Sequence, residues 1–176
     1  EMCIRDRLRE GLQGWELHLA GGTSPKNIHR EYLEAVISEA RGYPIVIHTD
    51  LPFDELMELY GKSTIYWHAA GYGQDNPIEF EHFGLTTVEA MASGCVPIVI
   101  GKGGQREIIR HGENGFTWET IEELKRYTWR VIKDPELREK LSSAAVADSR
   151  FYDKRHFQAR LRDSLGKIGV EIQEVD

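Results

Sequence analysis

Two carboxylates stand out by their company. Glu89 lies beside Val88, Ala90 and Met91 in a stretch, Leu85–Ala92, whose apolar spacing predicts a short helix. A carboxylate in such surroundings is costly to desolvate unless it finds donors. A vicinal diol, such as the 2′,3′-hydroxyl pair of a ribose, offers two donors to its two oxygens. Glu81 stands before the helix start, where it could accept hydrogen bonds from sugar hydroxyls. Between the two, Phe83, Gly84, Leu85 and Thr86 open the helix. A helix start exposes unpaired N–H groups and a partial positive charge, which suit a diphosphate, and Gly84 lets the backbone approach a ligand closely. Thr86 and Thr87 carry hydroxyls that could reach phosphate, although Thr87 reads better as an ordinary first-turn residue. From spacing alone a plainer reading stands beside this one, with Glu81 a solvated loop residue and Glu89 a helix-surface carboxylate.

The elements that must position these groups alternate. Apolar runs at 16–20, 44–47, 64–68 and 96–100 read as strands. Helical stretches stand between them: one carries Ile28, Tyr32, Leu33, Val36 and Ile37 on one stripe, another runs from Phe53 to Tyr60, and the third holds Glu89. This predicts an α/β fold, a Rossmann-like parallel sheet flanked by helices. Its ligands would sit beyond the carboxyl ends of the strands, so one ligand edge would gather Gly21, Leu51, His68, Glu81 and Gly103. After Trp118 the pattern turns to charged, amphipathic helices, read as a solvated outer layer. Cys95 reads as a small core residue.

Bulk properties narrow the classes. The chain has 176 residues, 40% hydrophobic and 29% charged, with a formal net charge of -7. That profile fits one folded domain. No Lys/Arg stripe supports nucleic-acid binding, and no apolar run is long enough to cross a bilayer. Two cysteines without metal-ligand spacing agree with a reducing, cytoplasmic location. Residues 1–8 join no periodic pattern and are read as a non-native leader, leaving 15–176 as a single domain shortened at its N-terminus. His68 ends a strand at the ligand edge and His82 follows Glu81, but no second ligand stands at metal-binding spacing beside either. Gly21-Gly22 lacks the remaining glycine of a dinucleotide fingerprint.

The run from Glu81 through Gly94 to Ile100, with its two Glu separated by seven residues, resembles the signature of the group 1, retaining glycosyltransferases of GT-B fold. The stretch from Gly103-Gly104 through Glu107, followed by His111-Gly112-Glu113-Asn114-Gly115, resembles the next motif of that family, and the wording from Tyr66 to Gly73 is similar to mannosyltransferase-like members. The resemblance implies the C-terminal, donor-binding half of a GT-B fold, and a full-length enzyme that transfers a hexose from a nucleoside-diphosphate sugar with retention. The position matching Glu89 binds the ribose. The one matching Glu81 contacts the transferred hexose, which makes Glu81 the candidate catalytic residue. Phe83, Gly84, Leu85 and Thr86 would lie against donor phosphates and sugar, Leu51 would border the base, His68 would line the pocket, and Gly103 and Gly104 would turn beside the donor or serve backbone geometry alone. No metal and no cofactor are implied. The acceptor, a glycan or lipid-linked glycan, belongs to an N-terminal domain, and the full-length enzyme could attach peripherally to a membrane.

The sequence departs from the family where an Arg and a Lys would neutralise the diphosphate, since Arg5, Arg7 and Arg9 do not match that segment in context. The chain alone is therefore expected to be inactive. Two alternatives are another GT-B enzyme, such as a sugar-nucleotide epimerase, and a nucleotide-binding module without chemistry.

Overall fold

The computed structural model describes residues 14–23 and 27–170. The leader expected at 1–8, the three arginines Arg5, Arg7 and Arg9, and the side chain of Ile28 lie outside that description. The chain divides into two compact units, 1–59 and 60–176.

In the first unit, β1 (Leu17–Gly21) and β2 (Ile45–Thr49) pair in parallel, Leu17 opposite Ile45 and Gly21 opposite Thr49, with α1 (Asn27–Ala40) as the crossover. Of the apolar stripe on α1, Leu33 and Val36 are half-buried, whereas Tyr32 and Ile37 are exposed on its flanks. Asp50 follows β2 in the left-handed region at φ 53, and its carboxylate accepts the Thr23 amide at 2.8 Å and the Thr23 hydroxyl. Those bonds hold the Asp50 carboxyl below its usual pKa and tie together the loops after the two strands. Leu51 comes next in this loop.

Helix α2 (Phe53–Lys62) leads into the second unit, where β3 (Ile65–His68), β4 (Val96–Ile100) and β5 (Phe116–Trp118) form a parallel sheet in the order β3-β4-β5. The sequence pattern predicts one sheet; the hydrogen-bonded ladders among the described residues are two, one in each unit. Periodicity identifies strands but not their partners. The strand β5 is only three residues long and escapes a period-2 reading. β4 is central and wholly buried, as its unbroken apolar run requires.

Helix α3 (Leu85–Ala92) connects β3 to β4 and packs Met91 with Val99, Ile108, Ile109 and Ala145. Ile108 ends α4 (Gln105–Ile108), and Ala145 comes from α6 (Pro135–Ser149), which follows α5 (Ile121–Lys133). These helices are amphipathic: Leu124 and Val131 of α5 and Leu141 and Ala145 of α6 are buried against the sheet and α3, while Glu122, Arg126, Glu136 and Glu139 stay exposed. Both helices start on side-chain caps, Thr120 with Glu123 in a capping box and Asp134 ahead of Pro135. After a turn at Arg150–Tyr152, α7 (Lys154–Lys167) buries no residue. Cys95 is fully buried, its thiol donating to the Tyr60 carbonyl at 3.3 Å, and burial pushes it up to about 11.

Candidate functional site

The loop between β3 and α3 is built from its ends inward. Asn76 caps the turn at Pro77–Glu79 by accepting the Ile78 amide at 3.1 Å. Lys102, just beyond β4, donates to the carbonyls of Gly71, at 3.2 Å, and Gln74, and its ammonium lies 4.9 Å above the Phe80 ring. That cation pins the first half of the loop.

In the second half, one oxygen of Glu81 accepts the amides of Phe83 and Gly84 at 3.3 and 3.2 Å. The helix start therefore already faces a carboxylate of its own chain, and the expected anion site is partly served from within. The Leu85 and Thr86 amides, as first-turn donors, have no carbonyl one turn earlier to bond. The other Glu81 oxygen stands 3.9 Å from His68 Nε2. His68 is mostly buried, its Nδ1 has no partner among the described residues, and burial lowers its pKa while the Glu81 charge opposes the shift.

Gly84 caps α3 in the left-handed region at φ 97. Behind it lies the loop after β4, where the Gly104 amide donates to the Glu81 carbonyl at 2.9 Å. A Cβ on Gly103 would come within 2.3 Å of the Glu81 carbonyl oxygen, and one on Gly104 within 2.3 Å of that of His82. Both glycines serve the close approach of two backbones. Gln105 is fully buried next to them and accepts the Thr87 hydroxyl at 3.0 Å, so Thr87 is the structural first-turn residue that the sequence suggests.

On the other face, the Thr86 hydroxyl meets that of Tyr66 at 2.7 Å. Burial raises the Tyr66 phenol; the Thr86 and Thr87 hydrogen bonds oppose it, and the charges of Glu81 and Glu89 add to it. Glu89 itself is half-buried, and its carboxylate makes no hydrogen bond or ion pair among the described residues. Phe83 and Leu85 remain exposed, Phe83 meeting the Tyr152 ring edge-on.

His68, Glu81, Gly84, Gly103 and Gly104 are thus brought together, with Thr86 and Glu89 following along α3. Leu51 and Gly21 belong to the other compact unit and are described there alone. The sequence reading misses Gln105, Tyr66 and Lys102. Lys102 was findable as the residue after the central strand, at the sheet's ligand edge; Gln105 and Tyr66 lie inside the family-like stretches, but their residue types do not signal these contacts. Among the described residues no group of three His, Cys, Asp or Glu could hold a metal ion, and no helix is long and apolar enough to cross a membrane.

Comparison with known proteins bears on the same segments. The chain is 27% identical over 129 residues to a GDP-Man:Man(3)GlcNAc(2)-PP-Dol alpha-1,2-mannosyltransferase of Dictyostelium discoideum, covering 70% of this chain and 24% of that protein. It is 41% identical over 76 residues to a sucrose synthase of Melioribacter roseus, covering 40% and 10%. The chain spans a quarter or less of the length of these relatives. Its fold is similar to that of Anabaena HepE, solved with UDP and glucose, at TM-score 0.73 and 18% identity over 95% of this chain and 44% of that one. It also matches the C-terminal domain of a group 1 family glycosyl transferase from Francisella tularensis, at TM-score 0.64 and 23% identity over 81% and 71%. The family model for glycosyl transferases group 1 matches residues 6–148, a span that contains Glu81, Glu89 and the paired glycines, and the chain belongs to that family.

Proposed function

We propose that this chain is the donor-binding part of a hexosyltransferase that takes a nucleoside-diphosphate sugar and, in the full-length enzyme, transfers the sugar with retention of configuration. The observation that carries the reading is the state of Glu89: a half-buried carboxylate on α3 whose two oxygens have no partner among the described residues. A ribose diol supplies the two donors it lacks. Glu81 supports the same reading from the helix start. One of its oxygens is committed to the Phe83 and Gly84 amides, and the other stands beside His68, in reach of a hexose hydroxyl.

In the reaction the bond between the anomeric carbon and the diphosphate oxygen breaks, the acceptor hydroxyl oxygen bonds to that carbon, and the acceptor proton leaves with the departing phosphate. The Leu85 and Thr86 amides, at the positive end of α3, would face charge that grows on the leaving group. No cofactor or metal enters this scheme. The mannosyltransferase of Dictyostelium discoideum is named for GDP-Man and Anabaena HepE was also solved with UDP-glucose, so both sugar nucleotides serve as probes. Titrating the chain with each, and with UDP and GDP, tests the reading. Saturable binding that Glu89→Gln weakens supports it; binding that ignores Glu89 and Glu81 removes it.

A further inference from the structure

Gln105 begins α4 and is wholly buried. Its Oε1 accepts the Thr87 hydroxyl at 3.0 Å, while its Nε2 has no partner among the described residues. That nitrogen lies against Gly84: a Cβ built there would stand 2.7 Å away. The amide thus occupies the space that any side chain at position 84 would need. A buried donor left unpaired is destabilising, so the side chain is not explained by stability alone.

The neighbouring contacts run the same way. The segment 103–105 touches the segment 81–87 at three points: Gly104 N on the Glu81 carbonyl, Gly103 and Gly104 against the backbone of Glu81 and His82, and Gln105 between Gly84 and Thr87. Gly104 lies against Phe83 and Gln105 against Gly84, the two residues whose amides hold the Glu81 carboxylate, and of these two contacts only that of Gln105 is made by a side chain.

We propose that Gln105 is a positioning residue for the donor site: its side-chain amide sets where Gly84 sits and, through the Gly84-to-Glu81 hydrogen bond, where the Glu81 carboxylate is held. The proposal rests on the assignment of Glu81 to the hexose. It predicts that loss of Gln105 is felt at the sugar end and not at the ribose end, because among the described residues Gln105 bonds Thr87 and meets Gly84, and makes no hydrogen bond to Glu89.

The test uses the 176-residue chain carrying Gln105→Leu, which shortens the side chain and removes the amide end that meets Gly84, with Gln105→Met as the uncharged variant that keeps its length. Backbone amide exchange by NMR and titrations with UDP, UDP-glucose, GDP and GDP-mannose are measured on each. Gln105→Leu is expected to speed exchange at Phe83 and Gly84 about tenfold and to weaken the sugar nucleotides about tenfold, one hydrogen bond's worth, while UDP and GDP stay within about twofold. Gln105→Met, uncharged and long enough to fill the space beside Gly84, should restore most of both. Unchanged exchange at Phe83 and Gly84 overturns the proposal, and so does equal weakening of nucleotides and sugar nucleotides. A wild-type chain that binds no sugar nucleotide, with exchange at Gly84 still responding to Gln105, removes the function proposed above and leaves the positioning of the loop standing. If Gln105→Leu does not fold, the same measurements on Gln105→Met and on Thr87→Val, which frees the amide from its tether, decide the matter in the same way.

Discussion

Glu81 and Gly84 are joined by a hydrogen bond of 3.2 Å from the glycine amide to the carboxylate, and the same oxygen accepts the Phe83 amide at 3.3 Å. A carboxylate there satisfies otherwise orphaned donors and faces the positive end of α3. Glu81→Ala is expected to lower stability by about 1 kcal/mol, as loss of a helix cap does, and Glu81→Gln, which keeps an acceptor oxygen, by less than half as much. Urea denaturation reads both; equal losses would mean that the bond contributes nothing.

The glycines on either side of this contact should respond differently to the same added methyl group. Gly84→Ala meets a positive φ and the far end of the Gln105 side chain, and is expected to cost somewhat more than about 1 kcal/mol. Gly104→Ala meets the His82 carbonyl oxygen at 2.3 Å, backbone against backbone, so the loop must move. It should therefore be the more damaging of the two and should expose its own amide, bonded to the Glu81 carbonyl, to exchange.

A cap that makes no hydrogen bond to Glu81, Gly84 or Gly104 among the described residues gives the contrast. Thr120 and Glu123 form a reciprocal capping box at the start of α5. Thr120→Ala is expected to cost about 1 kcal/mol in denaturant without altering nucleotide or sugar-nucleotide binding. A matching loss of binding would show that the site reports global stability and not local geometry.

His68 gives a dependence on pH. Its folded pKa lies below the ordinary 6.5 because burial disfavours the charged ring. With the folded value depressed, the unfolded chain takes up the proton first, so the stability associated with neutral His68 is full above pH 6.5 and falls as the pH drops through and below it. The melting temperature of wild type relative to His68→Gln should thus decline between neutral and mildly acidic pH. A difference that stays constant across that range contradicts the burial argument.

Much of this was legible in the residues. The apolar run at Val96–Ile100 marks a central buried strand, and the carboxylate of Glu89 in apolar company marks a group in want of donors; the structure leaves that carboxylate without a partner among the described residues. Thr87 was read as structural and is. What escaped depends on distance in sequence. Gln105 acquires its place only when the loop after β4 folds beneath the start of α3, and nothing at positions near 105 signals Gly84. The pairing of strands into two sheets is likewise invisible to periodicity, which sees each strand by itself. The commitment of Glu81 to its own loop amides follows from the left-handed turn at Gly84, which a residue type permits but does not dictate.

If Glu89 holds the ribose of the donor, calorimetric titration of wild type and Glu89→Gln with UDP and GDP reads that contact. The substitution keeps the shape and removes the charge of a carboxylate that should accept two hydrogen bonds, each worth ~1.5–3 kcal/mol when charged. The better-bound of the two nucleotides is expected to lose at least about tenfold in affinity. The matching loss should appear with UDP-glucose or GDP-mannose, whereas Glu81→Gln weakens only the sugar nucleotides. Nucleotide affinity unchanged in Glu89→Gln would contradict the claim and return Glu89 to an ordinary place on the surface of a helix.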